Sequence, residues 1–221
     1  HISKDNNDIE RKFWKDDFVE DHFENSVGTW TFDPINSQIV LTRSYGDVTP
    51  TLSTQFKDQQ AISVIEFTVQ ITSTDVKIYY SGVYFNYVDD NNYVCAELRK
   101  IGSDGTGRVY VTERINGVIF YRVQAKLDAG FDFSVPHTIK VEYTSAGKVV
   151  TSLDGTVIAT STPASALPYT TSGKLIFFNY LGGSSTTGCT TTFSSWYALP
   201  TISYADDFAT DTTERYQAVT G

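Results

Sequence analysis

The stretch HTIKVEYTSAGKVVTSLDGTVI, residues 137–158, contains the clearest fold signals in the chain. Its first run, Ile139 to Tyr143, alternates apolar and charged residues, which places the two kinds of side chain on opposite faces of a strand. The Asp154-Gly155 pair further along is typical of a tight type I′ hairpin turn. The stretch therefore predicts half-buried antiparallel strands joined by short turns.

The same pattern recurs along the chain, where apolar runs of period two are bounded by Gly, Asp, Asn or Ser. A second hairpin signal is Asn116-Gly117, between two such runs. No stretch has a sustained 3.6-residue apolar period, and DFVEDHFENS (17–26) is expected to form a helical turn at most. We predict an all-β fold, a two-sheet antiparallel β-sandwich of jelly-roll type. Its predicted strands are TWTFD, SQIVLTR, AISVIEFTVQIT, GVYFNYV, YVCAELRK, GRVYVTERI, VIFYRVQAKL, HTIKVEYT, KVVTSLDG, TVIATS, KLIFFNY and TTFSSWYAL.

Composition limits the partners of this 221-residue chain. Hydrophobic residues make up 40%, enough for one sizeable core. The net charge of −9 and pI near 4.7 disfavour nucleic acid and anionic membrane surfaces as partners. No apolar run approaches the roughly 18 residues that cross a bilayer, so membrane insertion is not expected.

One internal repeat is visible, at a spacing of 190 residues. We therefore divide the chain into a polar linker at 1–13, one domain at 14–199, and a segment at 200–221. Two interpretations of the last segment stay open: it begins a second tandem repeat, or it is a strand exchanged with another copy of the chain. The repeated residues are Asp16, Asp17, Phe18, Asp21 and Glu24, which return as Asp206, Asp207, Phe208, Asp211 and Glu214.

The order of these motifs resembles that of the concanavalin A-like, laminin G-like jelly rolls found beside bacterial polysaccharide-degrading enzymes. That group includes fructan-binding modules and 3-keto-disaccharide hydrolase domains. The stretch already quoted and SGVYFNYVDDNNY (81–93) carry most of the resemblance, which extends from about Trp14 to Leu199. It implies an extracellular module that binds a glycan on a sheet face or at a loop rim.

The resemblance also implies a structural calcium ion between the first and last strands, with Asp16 and Asp17 as the matching first-strand ligands. The last strand departs from the pattern, since Phe193 is followed by two serines where relatives have carboxylates. Cys95 and Cys189 allow either one disulfide or two buried thiols.

Polar and aromatic side chains on the middle strands are the candidate sugar-binding residues. Aromatic rings pack on the C–H face of a sugar, while Arg, Asn and carboxylates bond its hydroxyls. Alternation places Tyr84 beside Asn86 on one strand and Glu97 beside Arg99 on the next. The full predicted set is Tyr84, Asn86, Glu97, Arg99, Tyr110 and Arg114.

No catalytic pattern accompanies these residues. A pair of carboxylates on alternate positions of one strand is expected in a laminarinase-like enzyme, and EDHFE (20–24) is the nearest string. His137 opens a strand and is expected to be structural. We therefore favour a non-catalytic carbohydrate-binding module of a multidomain surface or secreted protein. The alternatives are a structural or adhesive filament subunit assembled through strand 203–221, and a glycoside hydrolase.

Overall fold

A computed structural model describes residues 14–16, 23–44, 46–47, 49–54, 61–73, 78–101, 106–162, 173–182 and 188–200. All of the predicted strands are present in these ranges, which confirms the all-β fold class. A membrane-crossing helix is not found among the described residues. The predicted segments 1–13 and 200–221 lie almost wholly outside the described residues, so the proposed division of the chain stays a prediction.

Fifteen strands are formed within the described ranges. Their bounds are β1 Trp14–Asp16, β2 Phe23–Val27, β3 Thr29–Asp33, β4 Gln38–Arg43, β5 Thr51–Thr54, β6 Ile62–Ser73, β7 Tyr79–Asp89, β8 Asn92–Ile101, β9 Thr106–Ile115, β10 Val118–Lys126, β11 His137–Tyr143, β12 Val149–Leu153, β13 Thr156–Ser161, β14 Lys174–Leu181 and β15 Cys189–Pro200.

The strands of the described ranges form two antiparallel sheets. The eight-stranded sheet has the order β13-β12-β11-β6-β15-β4-β3, with β1 paired to β15. The seven-stranded sheet has the order β10-β9-β8-β7-β14-β5-β2. Neighbours such as β7 and β14, or β6 and β15, are far apart in sequence, as expected when strands alternate between the sheets of a sandwich.

The sequence analysis did not predict three of the strands, β1, β2 and β5. Each has five residues or fewer, and polar residues predominate in them. The segment 17–26, where we expected a helical turn, contains the start of β2 from Phe23 onward. These short strands form by pairing with longer neighbours, and such pairing leaves no apolar period in their own sequence.

The core lies between the inner faces of the two sheets. Phe177 of the seven-stranded sheet packs edge-to-face against Phe193 of the eight-stranded sheet, with ring centroids 5.0 Å apart. The ring centroid of Trp196 lies 6.0 Å from that of the same Phe177, and the centroid of Phe67 lies 6.2 Å from that of Phe193. These aromatic contacts bring large, fully buried surfaces together across the sandwich.

The predicted hairpin turns have the backbone that type I′ requires. Asn116 and Gly117 have φ of 50° and 81°, and Asp154 and Gly155 have 50° and 78°. The second turn is fastened to the start of β11, because Asp154 accepts a hydrogen bond from the backbone N–H of Thr138 at 2.8 Å.

His137 contacts the same turn. Its Nδ1 lies 2.8 Å from the Asp154 carboxylate, and its Nε2 lies 2.8 Å from the carbonyl oxygen of Asp132. The imidazole also stacks on Phe131 at 4.2 Å. Both ring nitrogens have protein partners, so His137 is structural, as its position at the start of a strand predicted.

Asn86 links the two sheets, and its predicted position beside Tyr84 is wrong. Its φ is 50°, at an irregularity in β7 that breaks the alternation of side chains. The amide reaches β6 of the other sheet, where Oδ1 accepts from the Ile62 N–H at 2.6 Å and Nδ2 donates to the Ile62 carbonyl at 2.9 Å. The residue is 3% exposed, so this side chain belongs to the interior.

Both cysteines are buried and free. The Cys189 thiol donates to Asn179 Oδ1 at 2.9 Å in the inter-sheet layer, whereas Cys95 lies on the opposite face of the other sheet. Burial raises the pKa of Cys189 to about 11. The interpretation as two buried thiols is therefore correct, and no disulfide joins them.

We predict that Asn86→Ala lowers the free energy of unfolding by at least about 2 kcal/mol, because it leaves a buried N–H and a buried carbonyl of Ile62 unpaired. Asn116→Ala is the matched control, since Asn116 has the same φ of 50° but is exposed. Its loss is expected to be about 1 kcal/mol, from the left-handed backbone alone. Urea denaturation measures both, and equal losses would contradict the inter-sheet role.

Candidate functional site

Seven tyrosines lie on the outer face of the seven-stranded sheet, which we call the tyrosine face. They occupy cross-strand positions on five neighbouring strands, from β14 to β10. Their inner neighbours along each strand, such as Val83 and Val111, are fully buried in the core. Period-two alternation thus assigns one face of the sheet to the core and the other to aromatic side chains. The seven are Tyr80, Tyr84, Tyr87, Tyr93, Tyr110, Tyr121 and Tyr180.

At the centre of this face Glu97 and Arg99 form an ion pair on β8. Arg99 Nε donates to Glu97 Oε1 at 2.7 Å, and Nη2 pairs with the same oxygen. The Glu97 side chain is only 4% exposed, against 23% for Arg99. Desolvation raises the pKa of Glu97 despite the opposing effect of the Arg99 charge. Although desolvation lowers the pKa of Arg99, attraction to Glu97 outweighs it and raises that pKa.

Two tyrosines hold the Arg99 guanidinium from either side. Its central carbon lies 4.5 Å from the ring centroid of Tyr80 and 4.2 Å from that of Tyr110. A planar guanidinium stacks on aromatic faces in this way, and the stacking fixes its orientation. Tyr180 extends the row by stacking on Tyr80, with centroids 4.5 Å apart and an interplanar angle of 17°.

Gly82 makes room for the buried carboxylate. It is the cross-strand neighbour of Glu97 on one side and of Phe178 on the other. A Cβ added at Gly82 would lie 2.0 Å from the carbonyl oxygen of Ala96 and 2.9 Å from the Cβ of Glu97. Since no Cβ fits there, a glycine within this strand allows β7 and β8 to approach closely beneath the ion pair.

The remaining predicted residues lie towards one end of the tyrosine face. Tyr84 contacts Tyr93 at 5.0 Å and Phe178 at 4.5 Å between ring centroids. Arg114 is the cross-strand partner of Tyr93, and its Nε lies 3.4 Å from the Gly117 carbonyl oxygen.

The structure therefore brings five of the six predicted residues to one face. Glu97, Arg99 and Tyr110 are in direct contact, whereas Tyr84 and Arg114 are joined to them through neighbouring strands. Asn86 does not belong to the group, for the reason given above.

Sequence reasoning missed several residues of this face. Tyr80 and Gly82 share the parity of Tyr84 in β7, so alternation alone would have found them. Tyr180 and Phe178 required knowledge that β14 pairs with β7, a contact between strands almost a hundred residues apart. Arg108 shares the parity of Tyr110 in β9, so alternation would have found it too; only its position opposite Arg99 required the register of β8 against β9.

The calcium prediction is not tested. Asp17 lies outside the described residues, and only the backbone of Asp16 is described, in β1. Among the described residues, no group of three or more His, Cys, Asp or Glu side chains is placed to hold a metal ion. Calcium at Asp16 and Asp17 therefore stays a prediction.

Comparisons by sequence found no matching protein-family model and no matching curated protein. Solved structures match well in fold. A Bacillus licheniformis β-glucanase matches with a TM-score of 0.64 at 13% identity, over 85% of this chain and 97% of the glucanase. The apo Crh5 transglycosylase matches with a TM-score of 0.63 at 17% identity, over 89% of this chain and 88% of its own.

A prokaryotic β-1,3-1,4-glucanase (lichenase) derived from a mouse hindgut metagenome gives a TM-score of 0.61 at 13% identity, over 86% of this chain and 99% of its own. Likeness at such low identity concerns the fold. It confirms the predicted concanavalin A-like β-sandwich.

The raised pKa of Glu97 has a consequence for stability. The folded chain keeps the Glu97 proton to higher pH than the unfolded chain, whose carboxyl has a pKa near 4.5. The stability that this group contributes is therefore present below about pH 4.5 and is lost as the pH rises through the folded pKa.

We predict that the unfolding free energy of the wild type, relative to Glu97→Gln, falls as the pH rises above about 4.5 and then levels off. Glu142→Gln, which removes a part-exposed carboxylate from the other sheet, is the control for loss of a carboxyl group. Urea denaturation across a pH series checks this. A wild-type advantage that grows with pH would show that the Arg99 attraction outweighs burial.

Proposed function

We propose that this chain is a non-catalytic, extracellular carbohydrate-binding module of a surface or secreted protein, and that its glycan lies on the tyrosine face. The observation that carries the proposal is the Arg99 guanidinium, stacked between Tyr80 and Tyr110 and anchored by the buried Glu97. A buried carboxylate beside the close approach of the strands at Gly82 serves no evident packing purpose, whereas it holds a cation and two rings in a fixed arrangement.

This arrangement suits a sugar. Pyranose and furanose rings present C–H groups to aromatic faces and hydroxyls to their edges, so a ligand site for them combines rings with fixed hydrogen-bond donors. Tyr80 and Tyr180 are partly exposed, and Tyr121 on the edge strand is 52% exposed. Because the rings and the Arg99 donors are pre-positioned, little conformational entropy is lost on binding.

The carboxylates of this face favour binding over hydrolysis. Glycosidases use two carboxyl groups, about 5 Å apart when retaining and about 6.5–9.5 Å apart when inverting. Glu97 is the one carboxylate at the described strand positions of the tyrosine face, and it is paired with Arg99. Asp90, in the turn after β7, accepts a hydrogen bond from Tyr87 at the end of the face. Glu113 of β9 faces the interior instead, where it pairs with Arg122.

The comparisons lend general support. The β-glucanases and the transglycosylase that share the fold act on glycans, as their names state. The extracellular assignment draws on the resemblance to modules beside polysaccharide-degrading enzymes.

We predict that Tyr80→Ala weakens glycan binding by about tenfold or more, because it removes one ring of the Arg99 clamp and the partner of Tyr180. Binding is measured on a glycan array and then by isothermal titration with the best ligand. Tyr197→Ala is the matched control, since Tyr197 lies on the eight-stranded sheet and bonds Glu66. The proposal fails if no glycan binds, or if both variants weaken binding alike. Release of reducing sugar from laminarin or levan would favour a hydrolase.

The second candidate function is a filament or adhesive subunit, and the 190-residue repeat favours it. Residues 204–206 align with β1, which pairs with β15 through Trp14↔Ala198, Lys15↔Tyr197 and Asp16↔Trp196. A neighbouring copy would insert its 203–221 segment into this position, a head-to-tail contact that propagates.

We predict for this candidate that the full chain forms concentration-dependent oligomers and that deletion of residues 203–221 abolishes them. Light scattering coupled to size-exclusion chromatography checks both. If the full chain and the variant without residues 203–221 are both monomers at all concentrations, the strand-exchange prediction is wrong.

A further inference from the structure

The tyrosine face carries a concentration of positive charge that the rest of the chain does not share. The whole chain has 26 acidic and 17 basic residues, and a net charge of −9. On the tyrosine face the balance is reversed: Glu97 is the one described carboxylate at its strand positions, and Asp90, in the turn after β7, bonds Tyr87 at its end. The cations of this face are Arg99, Arg108, Arg114, Lys126 and Lys174, each placed there by strand register and alternation.

Three of these cations lie in one row across adjacent strands. Arg99 on β8 is the direct cross-strand partner of Arg108 on β9, and Arg108 is the direct partner of Lys126 on β10. Directly opposed residues of antiparallel strands point to the same face, with Cα atoms roughly 4.5–5.5 Å apart. Like charges in such positions repel and destabilise the sheet.

Among the described residues, only Arg99 of this row has a carboxylate partner. Arg99 pairs with Glu97, whereas no described carboxylate pairs with Arg108. Its Nε is buried without a hydrogen-bond partner. Lys126 is exposed on an edge strand, where a lysine also discourages pairing with other chains. That explanation does not extend to Arg108, because β9 is an interior strand of the sheet.

We propose that the glycan on the tyrosine face is acidic, and that a carboxylate or sulfate on one of its sugar rings binds between Arg99 and Arg108, with Lys126 beside them. This rests on the proposed function. A planar guanidinium donates two parallel hydrogen bonds to such a group, and the repulsion between the opposed cations becomes attraction to the ligand. The stacked tyrosines bind the sugar rings of the same glycan, which distinguishes this ligand from a polyanion without sugar C–H faces.

The test uses pairs of glycans that differ only in charge. Polygalacturonate is compared with its fully methyl-esterified form, and dextran sulfate with dextran, by isothermal titration at low and moderate salt. The first pair tests a carboxylate, the second a sulfate. We expect one charged member to bind and its neutral counterpart to bind at least about tenfold more weakly.

Arg108→Gln is expected to weaken binding of the charged glycan about tenfold and to reduce its salt dependence, with the melting temperature unchanged or raised. Lys140→Gln is the control, because it removes the same charge from the outer face of the other sheet, where Lys140 pairs with Glu142. It is expected to leave binding within about twofold of the wild type.

Five results would overturn the inference. Equal binding of the charged and neutral glycans overturns it. An equal loss of binding in Arg108→Gln and Lys140→Gln also overturns it. A DNA oligonucleotide that binds as tightly as the acidic glycan would indicate general attraction of polyanions. Binding of a neutral glycan that Tyr80→Ala weakens and Arg108→Gln does not would overturn the acidic ligand while leaving the proposed function intact, whereas silence with every glycan overturns both.

Discussion

The contact between Phe177 and Phe193 is the constraint on which the rest of the structure depends. It joins the inner faces of the two sheets, with Trp196 packed against the same Phe177 ring. Because side chains alternate along a strand, Phe177 in the core forces its neighbour Phe178 onto the outer face, where it packs against Tyr84. The core therefore dictates which residues of each strand are left to form the tyrosine face.

The tyrosine face has the features of a second, smaller core that stays partly open to solvent. Glu97 is buried on the side of the sheet that faces away from the main core, and its partner Arg99 is held between two tyrosines. Burying an ion pair costs desolvation energy that its attraction does not always recover, so its presence is weak evidence for stability alone. The recognition role proposed for this face accounts for it, since rigid donors and rings bind a ligand with little loss of entropy.

Strand positions and turn types were predictable because they depend on local chemistry. Alternation located the long strands, and Asn-Gly and Asp-Gly located the hairpins. The prediction for Asn86 was wrong because it extended strict alternation through a residue with positive φ. The strands β1, β2 and β5 were not predicted because they form by pairing with neighbouring strands, and their own residues carry no strand pattern. Placing Glu97 and Arg99 on one face was correct, since it needed only the parity within one strand.

The sequence by itself determined the all-β class, the strands other than β1, β2 and β5, and the parity of their side chains away from irregularities such as that at Asn86. All three follow from residues close to one another along the chain. Only the tertiary structure decided that β14 lies beside β7 and that Arg99 lies opposite Arg108. Register depends on how two sheets close over a common core, and this involves residues far apart in sequence. The stacked tyrosines, the close approach of β7 and β8 at Gly82, and the row of cations all arise from that register.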